Sequence, residues 1–129
     1  MSRTETPRVL VVDDEPPICR SVEKILAKVD VLTRSALNGY AALTLMETES
    51  FDVVITDLKM SSMGGLEVLR RLKEATPDAV VVVMTGYASV ASAVEVMKSG
   101  AFDYLPKPFT PEELRAVVRQ ALQENARRK

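Results

Sequence analysis

The chain has 129 residues, 47% hydrophobic and 27% charged, with 17 basic against 18 acidic side chains and a net charge of −1. That length suits one soluble globular domain, and the balanced charge excludes bulk attraction to nucleic acid or to an anionic membrane. A single cysteine, Cys19, and the absence of histidine exclude an internal disulfide framework, the usual zinc sites and hydrolases built on an imidazole base, leaving carboxylates, lysine, hydroxyls or a hard metal ion.

Residues 1–7 read as a flexible leader without the apolar core of a signal peptide, and no apolar run approaches the roughly 20 residues of a membrane-spanning helix. The expected location is the cytoplasm. Val9 to Val12 is an unbroken apolar strand closing on Asp13, Asp14 and Glu15. Pro16 and Pro17 then open a helix with Ile18, Val22, Ile25, Leu26 and Val29 at helical spacing. Val31 to Ala36 is a weaker strand, interrupted by Thr33 and Arg34, and is assigned to a sheet edge. Asn38 and Gly39 turn the chain into a short helix from Tyr40 to Glu47, carrying Leu43 and Met46.

The stretch from Phe51 to Asp57 is a strand whose run Val53, Val54, Ile55 suits burial on both faces and which ends on a carboxylate. Lys59, Met60 and residues 61–65 (SSMGG) force an immediate turn. A helix over Leu66 to Glu74 places Leu66, Leu69 and Leu72 on one face. Ala79 to Met84 is the most strand-like segment and stops at Thr85 and Gly86. Ser89 to Ser99 follows as a helix with Val90, Ala93, Val94 and Met97 expected inward and Gly100 as its stop. Phe102 to Leu105 is a last short strand ended by Pro106, Lys107 and Pro108. Thr110 caps a final helix that opens Pro111, Glu112, Glu113 and buries Leu114, Val117, Val118, Ala121 and Leu122. Residues 8–122 therefore form the domain, and the charged residues 123–129 begin a linker or a C-terminal tail into which the helix can continue.

Five strands, each followed by a helix, imply a parallel sheet covered on both faces through right-handed crossovers. The C-terminal ends of parallel strands share one edge, where open α/β sheets bind ligands. Asp13, Asp14, Asp57, Thr85 and Lys107 close four of the strands and converge there. Three clustered carboxylates repel, and a bound hard cation relieves them. Magnesium suits such oxygens together with a phosphate, whose remaining oxygens a lysine and a hydroxyl can hold. The set fits phosphoryl transfer to a carboxylate, with Asp57 as acceptor. Taken singly, each residue has a plainer reading as a turn-former, a helix start or a solvated charge. Their joint placement does not.

The motifs VLVVDDE, VVITDLKM, VVVMTGYA and YLPKPF, in this order over residues 8–122, resemble the receiver domain of two-component response regulators. The resemblance implies a flavodoxin-like (βα)5 three-layer sandwich with a sheet of order 2-1-3-4-5. It implies that Asp57 accepts a phosphoryl group from a partner histidine kinase, and that Asp14, Asp57 and the backbone carbonyl of Lys59 ligate Mg2+ while Asp13 acts through water. It further implies that Thr85 and Lys107 contact the phosphoryl group, that Tyr104 is the switch aromatic coupled to Thr85, and that the Lys107–Pro108 bond is cis. The wording TGYASVASAVEVMKSG and GAFDYLPKPFTPEEL is most similar to receivers of the nitrogen-regulator type. These precede an ATPase and a DNA-binding domain and pair through the fourth and fifth helices and the last strand. The domain is then a signalling switch that regulates transcription through a further region. It is not an enzyme acting on a separate substrate, although it assists its own phosphorylation and dephosphorylation, and it contacts neither nucleic acid nor membrane itself.

Two departures concern the loop after the acceptor, where many family members carry proline and an Asp-Gly pair and this chain has Ser61 and Gly64-Gly65. Lys59 and Tyr87, two residues beyond Asp57 and Thr85, are bulky and would flank an attacking water, so slow autodephosphorylation is expected. A Mg2+-dependent phosphatase with an aspartyl nucleophile is the alternative. Such enzymes commonly carry a second acid where Lys59 stands, and no cap insertion is evident. An interaction-only pseudo-receiver is disfavoured because all five site residues are present.

Overall fold

A computed structural model describes residues 6–60, 63–86 and 89–129. Five strands, β1 (Arg8–Val12), β2 (Leu32–Ala36), β3 (Val53–Asp57), β4 (Val80–Thr85) and β5 (Asp103–Pro106), form one sheet of order β2-β1-β3-β4-β5, all neighbours parallel. They alternate with α1 (Pro16–Leu26), α2 (Gly39–Thr48), α3 (Gly65–Ala75), α4 (Val90–Lys98) and α5 (Pro111–Arg128). This is the flavodoxin-like topology.

The strands sort their side chains by parity, as the period of two requires. Val9, Val11, Val53, Ile55, Val80 and Val82 lie in one core layer with Val22 and Leu26 of α1 and Leu114, Val118 and Ala121 of α5. Leu10, Val12, Val54, Val81 and Val83 face the other layer with Ala42 of α2, Val68, Leu69 and Leu72 of α3 and Val96 of α4. β3 and β4 are buried at every position, so continuous β-branched runs are needed there in place of an alternating pattern. β2 lies at the edge, as its polar interruptions indicate, and Leu32 is half exposed.

The fourth helix corrects one expectation. Val90 is 83% exposed and Val94 and Met97 nearly half exposed, while Val96 is the one fully buried side chain of α4. The apolar stripe is real but faces away from the sheet, so periodicity found the face without finding what it packs on. Among the described residues of the leader, Pro7 already offers its carbonyl to the Leu32 N–H at 2.8 Å; residues 1–5 lie outside the described residues.

At the opposite end of the chain, α5 runs through residues 123–128. Asn125, buried, donates to the Asp78 carbonyl at 2.9 Å, and Arg128 donates to the Ala79 carbonyl at 3.1 Å. The tail is thereby fastened by polar bonds, which the apolar periodicity of the helix does not report.

Candidate functional site

The site is built from strand ends. β1 delivers Asp13, fully buried, whose Oδ1 accepts the Glu15 N–H at 2.9 Å in a turn that leads into α1. Pro16 at the start of α1 fixes the exit direction. Asp14, half-buried, lines the mouth of the cleft. β3 delivers Asp57, 6% exposed. β4 delivers the buried Thr85, whose carbonyl accepts the Lys107 N–H at 2.7 Å and so ties the turn after β5 to β4. The Lys107–Pro108 peptide is cis.

These ends meet around a cleft of about 560 Å³ whose lining includes Asp14, Asp57, Lys59, Met60, Gly86 and Lys107. Carboxylate oxygens of Asp13, Asp14 and Asp57 lie within 4.8 Å of one another. The Lys107 ammonium bonds Asp13 Oδ2 at 2.8 Å and stands 3.6 Å from Asp57 Oδ2. Burial raises the Asp57 carboxyl above its ordinary value; Lys107 opposes this, the Asp13 charge adds to it, and the Lys59 N–H bond to the carboxylate opposes it again. Burial alone would depress the Lys107 ammonium, but its bond to Asp13 and the charges of Asp13, Asp57 and Glu15 outweigh it, and the net shift is upward. The Lys107 ammonium reaches two of these three crowded carboxylates, and a cluster of this charge is of the kind a hard divalent cation neutralises. An all-oxygen set of three acids beside open cleft fits Mg2+, which keeps several waters, better than a closed protein cage.

Tyr104 on β5 is half-buried, its ring against the layer that contains Val96. Its hydroxyl lies 2.7 Å from Ser92 Oγ in the first turn of α4. Lys59 is exposed at the cleft, whereas Ser61 and Tyr87 lie outside the described residues. Asp13, Asp14, Asp57, Thr85 and Lys107, drawn from sequence positions up to 94 residues apart, are the ends that the sheet brings to one edge.

Two features escape a reading of residue types. Gly65, the first residue of α3, backs onto the acceptor strand: a Cβ there would stand 2.4 Å from the Asp57 carbonyl oxygen. The sequence shows it as a turn glycine, and only its position directly before a helical pattern hinted at close packing. The Asp13–Lys107 ion pair has no local sequence signal at all.

The response regulator receiver domain is matched over residues 9–119. The chain is 38% identical over 122 residues to the regulatory protein AtoC of Escherichia coli (strain K12), covering 95% of this chain and 26% of that protein. It is 36% identical over 114 residues to the DNA-binding transcriptional regulator NtrC of Salmonella typhimurium (strain LT2), covering 88% of this chain and 24% of that protein. It therefore spans about a quarter of the length of the curated relatives it matches. The solution structure of a beryllofluoride-activated NtrC4 receiver domain dimer superposes with a TM-score of 0.87 at 36% identity, covering 92% of this chain and 98% of that one. With an acidic pocket at the ends of β1 and β3, a lysine reaching into it from the turn after β5 and this likeness along nearly its whole length, the chain belongs to the receiver domain family of two-component response regulators, related to the NtrC-type transcriptional regulators.

Proposed function

We propose that the domain is a phosphorylation-controlled switch in which Asp57 accepts a phosphoryl group from a partner histidine kinase. The observation that carries this reading is the cluster of Asp13, Asp14 and Asp57 oxygens with the Lys107 ammonium across from them. Asp14, Asp57 and the Lys59 backbone carbonyl would hold Mg2+, with Asp13 acting through water, and a bound ion would supply charge neutralisation for the phosphoryl oxygens. An Asp57 oxygen attacks phosphorus in line, the bond to the donor breaks, and its electron pair leaves with the donor. No base is required, because an attacking carboxylate carries no proton to be removed. Lys107 turns part of its bonding from Asp13 to a phosphoryl oxygen, and the Thr85 hydroxyl takes another. Tyr104 follows Thr85. Lys59, exposed at the cleft, would flank the route of the hydrolytic water and prolong the phosphorylated state, and Tyr87 is assigned the same role from its sequence position alone.

The readout is a change of interaction surface. Val90, Val94 and Met97 leave α4 with an apolar face beside β5, and the activated NtrC4 receiver domain is a dimer. That supports a homodimer through α4, β5 and α5 that regulates transcription through an effector region, without direct nucleic acid or membrane contact by this domain. No helix among the described residues is long and apolar enough to cross a membrane, in keeping with a cytoplasmic switch. The domain turns over no separate substrate, and Lys59 stands where an aspartyl phosphatase would carry its second acid. Incubation with Mg2+ and acetyl phosphate adds one phosphoryl group to the intact mass, and Asp57→Asn adds none. An unchanged wild-type mass refutes the reading.

A further inference from the structure

Helix α4 is slightly held. It buries one side chain, Val96, fully, where α3 buries Val68, Leu69 and Leu72 besides Gly65. An element with so little buried apolar surface opens locally at low cost, and its termini open first. Its N-terminus is secured by polar bonds instead. Ser89 Oγ accepts the Ser92 N–H at 3.1 Å, and Ser92 Oγ accepts the Ser89 N–H at 3.2 Å, a reciprocal capping box.

The Tyr104 hydroxyl enters this box from another element. It lies 2.7 Å from Ser92 Oγ and 3.4 Å from the Ser89 nitrogen, which donates to it. Ser92 Oγ is also 3.0 Å from Ser89 Oγ and within 3.2 Å of the Ser89 carbonyl oxygen. One hydroxyl group thus sits between the cap of α4 and an aromatic ring of β5. If the ring moves, the cap loses a partner; if the cap opens, the ring loses its polar anchor.

We propose that Ser92 is a positioning residue that joins Tyr104 to the first turn of α4, so that the ring and the helix cap move as one unit. The inference rests on the reading of Tyr104 as the switch aromatic, and it names the atom through which that ring acts on α4. A serine is suited to the task because its hydroxyl both donates and accepts, keeping the cap while bonding the phenol. Loss of one such bond changes the opening equilibrium by roughly fivefold, the equivalent of a net hydrogen bond of about 1 kcal/mol.

Amide hydrogen exchange at Ser92 and Ala93, measured by NMR on the unphosphorylated protein, tests the coupling. Tyr104→Phe removes only a phenolic oxygen on another element, yet is expected to speed exchange at both amides about fivefold. Ser92→Ala speeds it as well, Ser92→Thr restores it toward the wild-type rate, and Ser92→Ala combined with Tyr104→Phe exchanges more slowly than the product of the single effects predicts. A purely local cap predicts no response to Tyr104→Phe and independent single effects; either result overturns the proposal. With Mg2+ and acetyl phosphate, the Tyr104 ring and α4 amide signals are expected to change together in the wild type and separately in Ser92→Ala. Because the exchange measurement needs no phosphoryl group, an uncoupled Ser92 and an unphosphorylated Asp57 give different failures.

Discussion

Replacing Gly65 with alanine sets two effects of opposite sign against each other. By helix propensity alone the change stabilises α3, by up to about 1 kcal/mol. Against this, the new Cβ would stand 2.4 Å from the Asp57 carbonyl oxygen and 2.9 Å from Leu58 Cα, both backbone atoms, so the two segments must part by roughly 0.6 Å to reach even 3.0 Å. Neither side yields easily. Asp57 ends a strand buried at every position, and α3 is fixed by Val68, Leu69 and Leu72 at 0–1% exposure. Overpacking a rigid site costs about 3 kcal/mol, so the clash wins by about 2 kcal/mol. For a chain of this size that lowers Tm by roughly 5–10 °C. Because the displaced atoms belong to the acceptor's own peptide, the rate of phosphorylation by acetyl phosphate falls on the order of tenfold or more. Gly86→Ala, with nothing among the described residues within 4 Å of the added carbon, and Gly64→Ala, whose nearest neighbour is 3.6 Å away, serve as controls for stability. Calorimetry combined with phosphorylation kinetics decides the matter, and a Gly65→Ala protein that melts at or above both controls would refute the reasoning.

Asp57→Asn removes a buried charge that its surroundings disfavour, so in the absence of Mg2+ the variant is expected to melt a few degrees higher than wild type. For a carboxyl raised in the fold, the penalty is complete above the raised value and vanishes as pH falls to the ordinary carboxylate value; the advantage of Asp57→Asn in thermal melts should shrink across that window, and a constant advantage would contradict the assignment. Mg2+ at a hundredfold excess over its dissociation constant stabilises the wild type by about 2.7 kcal/mol and Asp14→Asn much less; equal stabilisation of both, followed by thermal shift, would place the ion elsewhere. Val94→Asp, on an exposed position of α4, should change stability by no more than about 0.5 kcal/mol while preventing phosphorylation-dependent dimerisation in sedimentation experiments; an unaltered dimer would move the interface off α4.

The order of the sheet, the burial of β3 and β4 and the convergence of Asp13, Asp14, Asp57, Thr85 and Lys107 are legible because they follow from strand runs and from the geometry common to parallel sheets. The outward direction of Val90, Val94 and Met97 is not, since an apolar stripe has the same period whether it meets this sheet or another surface. Pairing across 94 residues between Lys107 and Asp13 depends on how two turns approach after folding, and no local pattern encodes it. Ser92 carries no sequence signal beyond being a polar position within a helical segment; its contact with Tyr104 arises from the packing of α4 on β5.

The polar fastening of α5 divides the domain mechanically. This helix is about 27 Å long; its first turn is closed by its own Thr110–Glu113 capping box, its buried Leu114, Val118 and Ala121 pack on the sheet, and its far end is bonded through Asn125 and Arg128 to the carbonyls of Asp78 and Ala79, just before β4. Such a beam resists tilting, because its far end can shift only by breaking bonds to the segment that opens β4, and the rest only by uncovering Leu114, Val118 and Ala121. Across the sheet, α4 buries only Val96 fully, so a disturbance originating at the strand ends meets less resistance there than along the long helix.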